Sequence, residues 1–379
     1  MNRNPIYALL LMALATGTPA LADQIPLSGY AYQHQVTAPQ GNEWESPDKV
    51  ALNKEQPHAW FFSFANEKEA LNVLPESSSY WKSLNGKWSF HWVGTPDKRP
   101  VDFYKTNYDV SKWDKVDVPM NWNIVGVQKD GTLKYGTPVY SNQRVIFQHS
   151  VAVGDWKGGV MREPRKDWPT YQHRNEVGSY RRTFTVPENW KEREVYLNFD
   201  GVDSFFYLYI NGRYVGFSKN SRNLASFDIS PYLVKGENTV AVEVYRNSDG
   251  SFLESQDMFR LPGIFRTVAL TAKPKVQVRD VVAIPDFDAN LVNASLNITA
   301  SVANLTKKDV KGLRVDYKLY EKALYGEATT PVKGAEASVP VAVNKNGETD
   351  AKVVLQAGAL VKKWSAEAPW RYVLVGELK

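Results

Sequence analysis

The chain has 379 residues, 46 basic against 41 acidic side chains for a formal net charge of +5, and no cysteine. That length allows two or three domains, and the missing cysteines exclude disulfides, thiolate metal sites and cysteine nucleophiles. The small basic excess is not gathered into a stripe that could follow phosphates, so nucleic acid is not an expected partner.

The five histidines, His34, His58, His91, His149 and His173, have no close zinc-type spacing. At the N-terminus, Arg3 precedes a short apolar run from Ile6 to Thr16, and Ala20-Leu21-Ala22 supplies a small-residue cleavage signal. This pattern predicts a secretory signal peptide over residues 1–22, cleaved after Ala22, and a periplasmic or secreted mature protein. No later segment approaches membrane-spanning length, so no membrane partner is expected.

Residues 23–58 are polar and aperiodic, and read as an N-terminal arm laid over a domain. From Trp60 onward, short apolar runs alternate with turn signals and no long amphipathic helix intervenes. In Ser204–Ile210, Phe205, Tyr207 and Tyr209 would face one way and Phe206, Leu208 and Ile210 the other, as in an inner sandwich strand. Asn211-Gly212 then predicts a type I′ hairpin into Arg213–Ser218, because both turn residues must accept positive φ. Ser230-Pro231 and Gly236 predict one helical turn, with Ser230 as its cap. Thr239–Tyr245 alternates, with Val240, Val242 and Val244 on one face. Short strands so spaced predict an antiparallel sandwich or jelly roll over residues 59–273.

A boundary is expected near Lys273-Pro274-Lys275, beyond which only Trp364 and Trp370 remain of the tryptophans. Residues 274–379 carry cleaner alternation. One stripe is Leu296, Ile298, Ala300 and Val302, another is Leu313, Val315, Tyr317 and Leu319, and Val353–Leu355 and Tyr372–Val375 add strands. This pattern predicts an immunoglobulin-like β-sandwich without cysteines, making the chain all-β. The pattern is still alternating at Leu378-Lys379, so further strands are expected to follow in the intact protein. Sequons at Asn293, Asn297 and Asn304 lie on or beside strand patterns and are attributed to chance.

The densest polar constellation is Tyr245–Arg266, where Glu254, Gln256, Asp257, Arg260 and Arg266 stand among aromatics. Carboxylates and amides beside flat rings suit a sugar, whose hydroxyls need hydrogen bonds while its apolar face stacks. The same composition equally suits a buried polar network tying a loop to the sandwich. Glu254 and Asp257 are too close in sequence to establish the carboxyl separation that a glycosidase needs.

This segment resembles the glycoside hydrolase family 2 β-galactosidases. So do Ser83–Phe90 (SLNGKWSF), Val118–Trp122 (VPMNW), Tyr135–Asn142 (YGTPVYSN), Gly178–Phe184 (GSYRRTF), Phe199–Ser204 (FDGVDS) and Trp364–Glu367 (WSAE). The likeness runs through nearly everything after residue 45. It implies a jelly-roll sugar-binding domain, an immunoglobulin-like sandwich, and a catalytic (β/α)₈ barrel that is absent from this chain. That barrel would hold both glutamates of a retaining mechanism and a magnesium site, so no catalytic residue is expected here. The resemblance further implies that Asn142 hydrogen-bonds a galactose hydroxyl and that Asp257 helps ligate a sodium ion beside the 6-hydroxyl. Phe259, Pro262 and Ser255 replace a tryptophan, a serine and an acidic residue of the family's run, and residues 143–176 form a basic, irregular stretch that matches poorly. The implied partner is a galactoside or oligosaccharide, with a homo-oligomeric intact enzyme compatible. The alternatives are a family 2 β-glucuronidase or β-mannosidase, and a free-standing carbohydrate-binding protein.

Overall fold

The computed structural model describes residues 36–141, 175–254, 256–322 and 329–379. The expected signal peptide and most of the irregular stretch after Asn142 lie outside them. In chain order, the strands of the first region are β1 (Ala51–Leu52), β2 (Trp81–Ser83), β3 (Gly86–Val93), β4 (Asp114–Val118), β5 (Val139–Ser141), β6 (Val177–Thr185), β7 (Glu194–Phe199), β8 (Val202–Asp203), β9 (Phe205–Ile210), β10 (Arg213–Ser218), β11 (Ala225–Asp228), β12 (Glu237–Tyr245), β13 (Met258–Arg260), β14 (Gly263–Ile264) and β15 (Val268–Lys273). A seven-stranded sheet runs β1-β10-β9-β12-β6-β3-β4 and faces a four-stranded sheet, β11-β7-β15-β2. β13 pairs with β5, and β14 with β8, as separate two-stranded ribbons.

Between the two large sheets lies a core containing Trp88, Phe90, Leu197, Phe199, Phe206, Leu208, Ile210 and the Val240, Val242, Val244 stripe. Phe205, Tyr207 and Tyr209 enter a second core on the other face of the seven-stranded sheet, with Trp44, Phe103 and Tyr245. The expected division of β9 therefore holds, and it explains why this strand is apolar on both faces. The second core is capped by the N-terminal arm. Glu43 accepts the Tyr207 hydroxyl at 2.6 Å, Trp44 stacks on Tyr245 at 5.3 Å, and Lys219 pairs with Asp249 at 2.7 Å while also reaching the Ser46 carbonyl at 2.8 Å.

Asn211 and Gly212 have φ of 51° and 77°, joining β9 to β10 through the expected turn of positive-φ residues. Ser230 departs from its expected role. It is the first residue of a single 3-10 turn, Ser230–Tyr232, whose N-cap is Ile229, and its hydroxyl accepts the Val195 backbone N–H at 2.8 Å. The neighbouring strand thus takes the oxygen that a cap would have used. Among the described residues no α-helix exceeds four residues.

The second region contributes β16 (Val276–Phe287), β17 (Ala294–Asn304), β18 (Val310–Lys322), β19 (Thr329–Val343), β20 (Gly347–Gly358) and β21 (Arg371–Leu378). Two three-stranded sheets, β16-β17-β20 and β19-β18-β21, enclose Ile298, Ala300, Val302, Val315, Tyr317 and Leu355. The fold is thus all-β, a jelly-roll sandwich followed by an immunoglobulin-like sandwich, and the described residues form no barrel.

Residues 55–69 cross the junction of the two regions. Glu55 meets Arg279 at 2.6 Å, the Ala59 N–H donates to Asp280 at 2.8 Å, and the Tyr320 hydroxyl donates to Glu67.

Candidate functional site

The polar run after β12 folds back so that β13 pairs antiparallel with β5, placing Met258 opposite Ser141, Phe259 opposite Tyr140 and Arg260 opposite Val139. Asp257 immediately precedes this ribbon on one strand, and Asn142 immediately follows it on the other. Asn142 lies outside the described residues. Its neighbour Ser141 is the register partner of the residue after Asp257.

Asp257 is exposed and accepts the Tyr140 hydroxyl. This hydrogen bond to a carboxylate raises the tyrosine's pKa, because phenolate would face a like charge. The rings of Tyr140 and Phe259 lie 5.5 Å apart and are both more than half exposed, at 54% and 63%. The ribbon therefore presents two aromatic rings and one carboxylate to solvent, as a stacking and hydrogen-bonding surface for a sugar requires.

The other polar residues of the run are turned to structure. Glu254 accepts the Ser221 N–H at 2.8 Å and its hydroxyl at 2.6 Å, closing the loop after β10. Arg260 donates to the Glu254 carbonyl at 2.6 Å and the Gln256 carbonyl at 2.7 Å. Arg266 reaches the Arg222 carbonyl at 2.7 Å. Of the two readings of this segment, the polar network describes Glu254, Arg260 and Arg266, while Asp257 alone among the carboxylates of the ribbon faces outward. Glu254 and Asp257 have separate hydrogen-bond partners and do not form a paired acid and base.

Behind the ribbon, Glu176 and Arg246 form a buried ion pair at 2.6 Å. Arg246 also donates to the Thr137 carbonyl at 2.9 Å, just before β5, and to the Arg260 carbonyl at 3.4 Å, at the end of β13. The VPMNW and LPG segments are joined in the same way: Asn121 donates to the Leu261 carbonyl at 2.6 Å and the Trp122 N–H to the Pro262 carbonyl at 3.2 Å. Nearby, the side chain of Asp203 is only 16% exposed, and burial pushes its carboxyl up to about 7 against the opposing pull of Arg222, whose guanidinium lies 3.5 Å away.

Sequence reasoning missed Tyr140, Glu176 and Asp203. Tyr140 stands two residues before Asn142 within the YGTPVYSN motif, but its pairing with Asp257 rests on a contact 117 residues apart in sequence. No group of three or more His, Asp or Glu among the described residues is arranged to hold a metal ion. One oxygen of the Asp257 carboxylate accepts the Tyr140 hydrogen bond, and the other has no protein partner among the described residues. The residue thus fits as one oxygen ligand to a hard cation and does not make a complete site.

A family model described as "Glycosyl hydrolases family 2, sugar binding domain" matches residues 81–274. A β-galactosidase of Priestia megaterium is 36% identical over 353 residues, 93% of this chain and 31% of that protein. One from Psychromonas ingrahamii is 31% identical over 333 residues, covering 88% of this chain and 29% of the relative. Among solved structures, a family 2 β-glucuronidase superposes with a TM-score of 0.57 at 17% identity, covering 79% of this chain and 29% of that one. A Bacteroides uniformis β-glucuronidase gives 0.56 at 20% identity over 79% of this chain and 30% of its own. These two likenesses establish the fold. The chain belongs to glycoside hydrolase family 2, and it spans about 30% of the length of the relatives it matches.

Proposed function

We propose that the intact protein is a β-galactosidase that removes terminal non-reducing β-D-galactose by a retaining mechanism, with this chain supplying its sugar-binding and linker domains. The observation that carries this reading is the 36% identity with a protein named β-galactosidase over almost the whole chain. The exposed Tyr140, Asp257 and Phe259 surface supports it by offering the chemistry that a sugar edge needs. Asp257 would bind near the galactose 6-hydroxyl and contribute one oxygen to a sodium ion, which would supply positive charge to orient that hydroxyl. Asn142, next to the partner strand, would hydrogen-bond a second hydroxyl. Domain limits of 23–58, 59–273 and 274–379, a signal peptide ending at Ala22 and a periplasmic or secreted location complete the proposal. The catalytic carboxylates and the magnesium would belong to a barrel outside this chain, so the 379-residue product alone is expected to be inactive.

The test is Asp257→Ala in the full-length enzyme, read as nitrophenyl-galactoside turnover across a sodium titration. A rise in KM and loss of sodium dependence are expected. Unchanged kinetics would remove Asp257 from the site. Faster turnover of the corresponding glucuronide or mannoside would replace the galactose assignment, and turnover by the 379-residue product would overturn its expected inactivity.

A further inference from the structure

The outward face of the four-stranded sheet mixes polar side chains, among them Asn198, Ser226 and Thr271, with Trp81 and Ala269. Along β15, Val268, Leu270 and Ala272 enter the core while Ala269, Thr271 and Lys273 line a cavity on the other side. β7 alternates likewise, with Leu197 and Phe199 inward and Asn198 followed by Asp200 outward. Residues 58–63 pass over this face and enclose a cavity of about 290 Å³, close to the lower end of the usual range for small-ligand sites, roughly 300 Å³.

The covering segment is tied down on both sides. The Glu55 N–H donates to the Ser226 carbonyl at 2.8 Å, the Ala59 N–H to Asp280 at 2.8 Å, and the Ser78 hydroxyl to the Ser63 carbonyl at 2.5 Å. Trp60 is held edge-on to Phe62 at 4.9 Å and is nevertheless 71% exposed. The cavity is preformed, with a large ring at its mouth.

Its floor retains unused hydrogen-bonding capacity. Asn198 donates to Thr271 Oγ1 at 2.9 Å, but its side-chain oxygen accepts nothing among the described residues. Among the described residues the Asp200 carboxylate accepts no hydrogen bond, although the charge of Arg266 acts on it, and neither indole N–H of Trp60 and Trp81 has an acceptor. Lys273 lies over the rings of Phe61 and Tyr196, at 5.2 and 5.4 Å. An apolar ligand would leave the amide and carboxylate desolvated without partners. A phosphate would have to face Asp200. Rings at the mouth with amide, carboxylate and hydroxyl on the floor fit a polyhydroxylated ring.

We infer that this cavity binds one unit of a neutral saccharide, stacked on Trp60 with its hydroxyls on Asn198, Asp200 and Thr271. The inference is independent of the β-galactosidase reading, since the cavity shares no residue with the Tyr140 and Asp257 ribbon.

The experiment titrates the purified 379-residue chain with lactose, cellobiose and glucuronate, read by saturation-transfer NMR. Millimolar binding of a neutral disaccharide is expected, weakened about tenfold by Trp60→Ala and by Asp200→Ala. Trp60→Phe serves as a second variant, retaining binding while losing the sugar-dependent change in tryptophan emission. Absence of neutral-sugar binding, insensitivity to Trp60→Ala, or preference for glucuronate would overturn the inference. Binding lost with Asp257→Ala alone would overturn it too, while leaving the ribbon as a sugar site.

Discussion

Arg246 Nη1 lies 2.6 Å from Glu176 Oε1, and both side chains are almost wholly removed from solvent. The second Glu176 oxygen accepts the indole N–H of Trp122 at 3.2 Å and of Trp92 at 3.4 Å, together with an Asn123 amide at 3.4 Å. Every donor around this buried carboxylate is matched to one of its oxygens, and removing one partner strands the other. Since Arg246 also holds the carbonyls before β5 and at the end of β13, the pair fixes the ribbon from behind. Glu176→Gln and Arg246→Met should each lower unfolding free energy by about 3 kcal/mol. The double variant should lose clearly less than the sum, because each single change leaves an unpaired charge or an unfilled donor set. Urea unfolding of the four proteins checks this, and additive losses would deny the coupling.

Gly136 belongs to the same arrangement. Its φ is +73°, and an added Cβ would sit 2.3 Å from Glu176 Oε1. The YGTPVYSN motif therefore needs glycine twice over, for its backbone and for the space that the carboxylate occupies. Gly136→Ala should destabilise by about 2 kcal/mol or more. In the Glu176→Gln background the loss should remain large, since glutamine fills the same space. A melting temperature unchanged by Gly136→Ala would refute this packing.

Much of this architecture was legible in the sequence because local pattern and fold agree. Phe205–Ile210 reads as an inner strand from its two apolar faces alone, and Asn211-Gly212 marks the turn after it. That an arm lies over the domain was legible, but the place of Trp44 in the second core was not, since the arm's composition is aperiodic. β19 escaped notice because Pro331, Gly334 and Pro340 interrupt its alternation. It is an edge strand, where a missing N–H is tolerated. Ser230 has the composition of a cap, but a tertiary hydrogen bond from Val195 claims its oxygen. At the site, residue types could not separate Glu254 from Asp257. Only the fold shows that one carboxylate is spent on Ser221 while the other faces solvent beside Tyr140.

The hydrogen bond between Tyr140 and Asp257 has a titration signature. The carboxylate raises the tyrosine's pKa by accepting a hydrogen bond from the neutral phenol and by repelling the phenolate. Asp257→Ala removes both effects, so the Tyr140 midpoint should fall toward that of a free tyrosine, about 10. Carbon-labelled tyrosine NMR, with the Tyr140 signal assigned by Tyr140→Phe, would follow this in the 379-residue chain. An unmoved midpoint would mean that the two side chains do not meet in solution.

Asp203 gives a pH dependence of stability with a definite sign. Burial raises its carboxyl from 3.8 to about 7 in the folded protein. Below about pH 4 the group is protonated in both the folded and unfolded chains, and it adds no pH-dependent term. Between about 4 and 7 the unfolded chain ionises first, so this residue's contribution becomes steadily less favourable as pH rises. Above 7 the penalty is fully developed, at most about 4 kcal/mol for a shift of this size. Asp203→Asn cannot ionise and keeps a similar shape, although it loses the weak attraction to Arg222 at 3.5 Å. The variant should gain stability relative to the parent as pH rises from 4 to 8, with little difference at the acid end. Unfolding midpoints at several pH values decide it. A gain that is largest at pH 4, or a variant that loses stability as pH rises, would show that Asp203 is held as a stabilised anion.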